Sequence, residues 1–319
     1  MNGKTPSAVL VTNDEELNMN TKNCSSEDSD AGDGNRILRR ITPLSKWPNL
    51  PGEPHCKICV IDLETEGFDA QYHHILEFAG AMIEVDRQGR ILSVEGPKGG
   101  FNDPGRPIER KIAELTGITD EMVAGVRLSP RKLADWIGQA DACLSFNAAF
   151  DRVHLEELVP EVGKMAWICA MADVNWRRLG FDGRAQAYLA MQAGLFNDNA
   201  HRATDDVETL VSLLSHSLDD GWTVLSHAME GARTKTWRFE ATQLPYRFKD
   251  DVKRRGYRFS GLNKVWHTLV REDEFDEELA WYRGLTGEDP SIVPVNAFER
   301  YRADWNWNAV KPKRHSLGG

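Results

Sequence analysis

The sequence predicts an α/β protein, a mixed sheet flanked by helices and followed by a small α+β module. Three observations carry that reading. The apolar run Ile58-Cys59-Val60-Ile61 ends in Asp62-Leu63-Glu64, as expected of a central strand covered on both faces. Two more strand patterns follow it as a hairpin, and strand–helix alternation follows the hairpin. Between about residues 230 and 243 the charge changes sign, which marks a second unit.

In chain order, residues 1–52 read as a disordered or irregular tail. Asp14-Glu15-Glu16 and Ser25-Ser26-Glu27-Asp28-Ser29-Asp30 bring nothing to bury, and Arg36 to Arg40 and Pro43 to Pro51 form an irregular lead-in. Leu76 to Val85 is a strand, Asp86-Arg87-Gln88-Gly89 a turn, and Ile91 to Val94 the third strand. Apolar spacing predicts helices over 107–124 and 130–139. Ala142-Cys143-Leu144-Ser145 is a short strand feeding a helix over 148–158, and 167–169 is the last strand. Helices are expected near 171–178, 184–193, 204–217 and 222–230. The division is therefore a tail (1–52), a catalytic-sized domain (53–230) and an accessory module with its own tail (231–319).

Composition narrows the function classes. The 319 residues are 41% hydrophobic and 28% charged, ordinary for a globular chain, and contain no apolar run long enough to span a bilayer. The first twenty residues lack the charged-then-apolar pattern of a secretory signal, and five cysteines do not make a disulfide scaffold, so a reducing, cytoplasmic setting is expected. A net charge of −10 argues against a polyanionic partner, unless the charge is uneven or metal ions cover the acids. It is uneven: between Arg233 and Arg271 eleven basic residues stand against three acidic ones, a local +8 that leaves −18 elsewhere.

The acids carry the chemistry. Asp62 and Glu64 are two apart on a strand, so both project from one face. Two carboxylates half-buried side by side are unfavourable unless they share a cation, and a hard divalent ion suits oxygen ligands. Asn147 and Asp151 share the face of a helix that starts just beyond a strand's C-terminal end, where ligand sites of open α/β sheets collect. Asp206 lies on or beside the stripe Val207, Leu210, Val211 and Leu214, and His201 precedes it by about one turn. Four carboxylates from three elements and one histidine make a site with room for two metal ions, which together can activate water against a phosphodiester.

These residues fall in motifs. Val60-Ile61-Asp62-Leu63-Glu64-Thr65 with Ile75-Leu76-Glu77-Phe78-Ala79-Gly80-Ala81, then Phe146-Asn147-Ala148-Ala149-Phe150-Asp151, then His201-Arg202-Ala203-Thr204-Asp205-Asp206 resemble the three motifs of the DnaQ-like 3′–5′ exonucleases. Leu115-Thr116-Gly117-Ile118-Thr119-Asp120-Glu121-Met122 between the first two is also typical of that family. The spacing of His201 resembles the DEDDh subclass, and the chain is similar over roughly residues 57–218 to epsilon-subunit-like exonucleases of bacterial DNA polymerase III. The resemblance implies an RNase H-like, mixed five-stranded sheet. It implies two Mg²⁺ or Mn²⁺ ions held by Asp62, Glu64, Asp151 and Asp206, with Asp62 bridging and His201 as general base. It implies that Leu63, Thr65, Asn147 and Phe150 meet the terminal nucleotide. The expected partners are a nucleic-acid 3′ end, single-stranded DNA before RNA, and a polymerase or repair protein. An exoribonuclease and a non-catalytic docking protein of a replication or repair complex are the rival readings.

Two positions depart from the family pattern: Glu66 stands where many members have threonine, and Phe146 where many have histidine. In the module, Lys253, Arg254, Arg255 and Arg258 among Tyr246, Phe248, Tyr257 and Phe259 suit either nucleic-acid contact or a solvated helix beside a packed strand. The segment resembles an accessory helix and β-hairpin found after the exonuclease domain in some bacterial members. Cys56-x-x-Cys59 lacks further ligands at zinc-binding spacing and reads as two ordinary thiols.

Overall fold

The computed structural model describes residues 30–31, 35–198, 202–302 and 305. Its larger sheet has five strands: β1 (Cys56–Thr65), β2 (Ile75–Val85), β3 (Ile91–Phe101), β4 (Ala142–Ser145) and β5 (Ala166–Cys169), in the order β3-β2-β1-β4-β5. The β1–β2 and β2–β3 pairs are antiparallel, while β1–β4 and β4–β5 are parallel. This is the mixed five-stranded sheet expected from the motifs.

The alternation of β1 builds a core on each side of it. Ile58 and Val60 pack with Val207, Leu210, Val211 and Leu214 of α7 (Ala203–Leu214) and with Val224 and Leu225 of α8 (Val224–Arg233). Cys59, Ile61 and Leu63 pack on the other side with Ile137 of α3 (Pro130–Ile137), Leu155 of α4 (Ala148–Leu158) and Trp167. Burial on both faces is why β1 reads as a continuous apolar run rather than an alternating one.

Several expected elements differ in extent. The helix expected over 107–124 is two, α1 (Arg110–Thr116) and α2 (Asp120–Val123), because Gly117 takes φ 68° and ends the first. The third strand does not stop at Val94 but runs to Phe101. It is the edge strand, where Pro97 forfeits no ladder bond that the sheet needs. The helix expected near 171–178 is a single turn, α5 (Ala170–Asp173), and α6 spans Gln186–Gln192. The lead-in before β1 is also less idle than its composition suggests. Ile41 and Leu44 are buried, and Leu44 N–H donates to Glu208 of α7 at 3.1 Å.

After α8 the chain forms a second, antiparallel sheet from β6 (Thr236–Ala241), β7 (Arg258–Ser260), β8 (Val265–Arg271) and β9 (Ser291–Val295), in the order β7-β8-β6-β9. The expected basic helix is α9 (Lys249–Arg255), and β7–β8 is the hairpin after it. Phe239, Val252, Tyr257, Val270 and Tyr282 form a separate core, closed by α10 (Phe275–Thr286). The chain then returns to the larger sheet. Trp167 N–H donates to Ala297 C=O at 2.9 Å, and wholly buried Arg152 donates to the carbonyls of Phe298 (2.9 Å) and Arg300 (2.7 Å).

Candidate active site

Asp62 and Glu64 share the face of β1 that carries Ile58 and Val60, and α7 covers that face. Their position follows from period two. Where the helix stops supplying apolar cover, the next residues on the same face are acids. Asp206 stands one turn into α7, beside its buried stripe. One carboxylate oxygen from each of Asp62, Glu64 and Asp206 lies within 4.8 Å of the other two. Asp151 enters from the first turn of α4. It is buried, and its Oδ1 has no hydrogen-bond partner among the described residues.

Burial and mutual repulsion dominate the electrostatics of the cluster. Burial, then the charges of Asp151, Asp206, Glu64 and Glu77, holds the Asp62 carboxyl well above the usual range. Burial, then Asp206, Glu77 and Asp151, pushes Glu64 to about 7, against the pull of Arg202. Burial likewise raises Asp151. Clustered carboxylates with an orphaned, buried oxygen fit divalent cations, and an all-oxygen donor set of this kind suits Mg²⁺ or Mn²⁺.

Glu77, quoted within a motif but assigned no role above, belongs to this cluster. It lies directly opposite Glu64 in the β1–β2 register. Like charges facing across a strand pair are destabilising. Arg202 answers the second of them, donating to Glu77 at 3.1 and 3.0 Å, and Ala203 N–H donates to it at 3.3 Å. A carboxylate inside the otherwise apolar stretch Ile75-Leu76-Glu77-Phe78-Ala79 was the available signal. Glu66, the extra acid beside the motif, is turned elsewhere. Arg106 grips it with two bonds of 2.8 Å, and it accepts from His74 N–H at 2.9 Å.

The remaining expected residues are placed as follows. His201 lies outside the described residues. Asn147 is the N-cap of α4, and its carbonyl accepts from Phe150 N–H at 2.8 Å. Leu63 and Thr65 are buried at the end of β1, Thr65 Oγ1 donating to Gly67 C=O at 2.7 Å. Phe150 stands at the rim with Phe68, ring centroids 6.0 Å apart, and Phe68 is 71% exposed. His154 joins α4 to the segment after β1 through the carbonyls of Phe150, in its own helix, and Gly67, both at 3.1 Å. Phe146 packs against the core. In the module, Arg254 pairs with Asp251 at 2.5 Å, and Arg255 with Glu277 at 2.7 Å and Glu278 at 2.9 Å. Cys56 and Cys59 are free thiols, the second buried.

The segment that carries these acids is similar to known exonucleases. Residues 59–214 match the family model described as Exonuclease, of the RNase T type. The PolC-type DNA polymerase III of Listeria innocua is 28% identical over 179 residues, covering 54% of this chain and 11% of that one. The Bacillus subtilis protein of the same name is 37% identical over 95 residues, 29% of this chain and 6% of the relative. The chain thus spans about a tenth, or less, of the length of these curated relatives. Among solved structures, exonuclease X in complex with 5′-overhanging duplex DNA is similar over 55% of this chain and 99% of that chain, with 23% identity and a TM-score of 0.39. An exonuclease I–single-stranded DNA complex of E. coli covers 58% of this chain and 48% of its own, with 14% identity and a TM-score of 0.43. The matched segment, just under half of the chain, holds all four expected carboxylates and the helix that presents the last of them, and over that segment the chain is similar to the exonuclease family.

Proposed function

We propose that this chain is a divalent-metal-dependent 3′–5′ exonuclease that removes mononucleotides from single-stranded DNA ends. The observation that carries the reading is the convergence of Asp62, Glu64 and Asp206 within 4.8 Å, with the unsatisfied Asp151 oxygen beside them in the electrostatics of Asp62. Asp62, Glu64, Asp151 and Asp206 would hold two Mg²⁺ or Mn²⁺ ions, Asp62 serving both. When bound, such ions supply Lewis-acid stabilisation of the phosphoryl oxygens and lower the pKa of an attacking water. His201 takes that water's proton, as a neutral imidazole with a near-neutral pKa can. The water oxygen forms the new bond to phosphorus, the bond from phosphorus to the 3′ oxygen breaks, and the shortened strand keeps the 3′ hydroxyl. Thr65 and the Leu63 main chain line the floor beneath the terminal nucleotide, with Asn147 at the second motif. Phe68 and Phe150 offer ring faces and edges at the rim for its base.

DNA is the favoured substrate because the relatives are named as DNA polymerases. A polymerase or repair protein is the matching protein partner. No helix among the described residues is long and apolar enough to cross a membrane.

The test is digestion of matched DNA and RNA strands, labelled at either end, with Mg²⁺ or Mn²⁺. Successive loss of nucleotides from the 3′ end of DNA is expected, and Asp206→Ala should slow it on the order of a thousandfold. Preferential digestion of RNA would move the substrate assignment. Equal rates for Asp206→Ala and the parent protein would refute the site.

A further inference from the structure

The smaller sheet has two unlike faces. Along β6, Trp237, Phe239 and Ala241 point into the module's own core, so Arg238 and Glu240 point the other way. Along β8, Trp266 and Val270 point inward, so His267, Leu269 and Arg271 share the second face. Register places Arg258 of β7, His267 of β8 and Glu240 of β6 in one row, with Arg238 opposite Leu269. This polar face looks toward the exonuclease domain. Between them is a cleft of about 820 Å³ whose far wall is the segment after β5, including Arg177 and Arg184.

Charge and unmet hydrogen bonding mark the cleft. Seven arginines and four carboxylates line it, in a chain of net charge −10. Arg238 is paired with Glu240 at 2.8 Å, but Arg177, Arg184 and Arg258 have no carboxylate partner among the described residues. His267 lines the cleft, is 8% exposed, and neither of its ring nitrogens has a hydrogen-bond partner among the described residues. A buried imidazole left unpaired costs stability, so its retention points to a ligand that completes it. Trp305 stands beside it, ring centroids 5.2 Å apart, and the Arg238 guanidinium lies 3.3 Å above the Trp305 ring. The walls are fixed relative to each other. Arg271 donates to Ala172 C=O, and buried Arg300 pairs with Asp173 at 2.8 Å. The cleft begins at Ala149, in the same first turn of α4 as Asp151.

We propose that this cleft is a nucleic-acid exosite, which holds the phosphodiester backbone of the substrate strand upstream of its reacting 3′ end. Arg177, Arg184 and Arg258 meet phosphates, and His267 and Trp305 meet a base or sugar. This deepens the exonuclease reading and rests on it. It also moves the module's nucleic-acid surface away from the α9 helix, where Arg254 and Arg255 are already neutralised by Asp251, Glu277 and Glu278.

The experiment compares the parent protein with Arg177→Glu/Arg184→Glu/Arg258→Glu on single strands of about three and about twenty nucleotides, since only the longer can occupy an exosite. The parent should bind the longer strand more tightly. The triple variant should raise KM for the longer strand roughly tenfold or more while changing the shorter by less than about twofold, and its salt slope should fall by roughly two, at about 0.7 per phosphate contact. His267→Phe, which removes an unpaired polar ring without leaving a hole, should weaken long-strand binding severalfold while the thermal midpoint holds or rises. Unchanged long-strand affinity and salt slope in the triple variant would overturn the exosite. Failure of the parent to cleave either length would instead overturn the exonuclease reading.

Discussion

Arg202 clasps Glu77 through two nitrogen–oxygen contacts of 3.1 and 3.0 Å and lies 5.2 Å over the ring of Phe101. This pair joins β2 to the first residue before α7, and it lies four positions ahead of Asp206. It also quenches the charge that faces Glu64 across the strand pair. Arg202 is therefore a positioning residue for the start of α7. Arg202→Ala should weaken metal affinity by about 10- to 100-fold, the usual cost of losing a group that orients metal ligands. Calorimetric titration with Mn²⁺ checks it, and Arg202→Lys should recover only part because one ammonium cannot reproduce the fork.

The carboxylate cluster makes a paired prediction. Asp62→Asn removes one of several like charges packed together, so the metal-free protein should become more stable, by about 1 kcal/mol. The same change should abolish the rise in thermal midpoint that Mg²⁺ or Mn²⁺ produces in the parent, since only a ligand that binds the folded state stabilises it. A metal-free Asp62→Asn protein that melts below the parent would contradict the reading of stored repulsion.

Arg152 is wholly buried on α4, pairs with Glu156 at 2.5 Å and donates to carbonyls of Gly163, Phe298 and Arg300. Removing it leaves three carbonyls and a carboxylate short of a donor. Arg152→Met should cost about 3 kcal/mol or more in denaturant unfolding. Limited proteolysis should then open the chain first near residues 296–302, the segment that these bonds tie down.

His267 sets a pH dependence. Burial, aided by Arg238, lowers its pKa from 6.5 to about 4. Between those values the unfolded chain binds the proton and the folded chain does not. The stabilisation is therefore complete above the unfolded pKa, declines as pH falls through the interval, and is gone below the folded one. The full span is on the order of 3 kcal/mol. Urea midpoints measured from pH 7 to pH 4 should fall less steeply in His267→Phe than in the parent.

Gly231 tests how α8 is seated. A Cβ there would lie 1.9 Å from the carbonyl oxygen of Asp173. Gly231→Ala should destabilise the domain by about 2 kcal/mol, as overpacking does. A melt at the parent's temperature would show that the contact yields.

The local pattern of the chain was enough for the larger sheet and the acids on it. The apolar run at Ile58 to Ile61 could be covered on both faces only as a central strand, and period two then aligned Asp62 with Glu64. Helical spacing likewise placed Asp206 beside the stripe of α7. Those inferences succeed because each depends on neighbours a few residues away. Tertiary structure alone decided what lies across a gap. It paired Glu77 with Glu64 and with Arg202, sent Glu66 to Arg106, and brought the segment after Val295 back to Arg152. It also turned the polar face of the second sheet toward the exonuclease domain. A charge in a sequence has a sign and a position along the chain; its partner is fixed only when strand register and domain docking bring distant residues within a few ångströms.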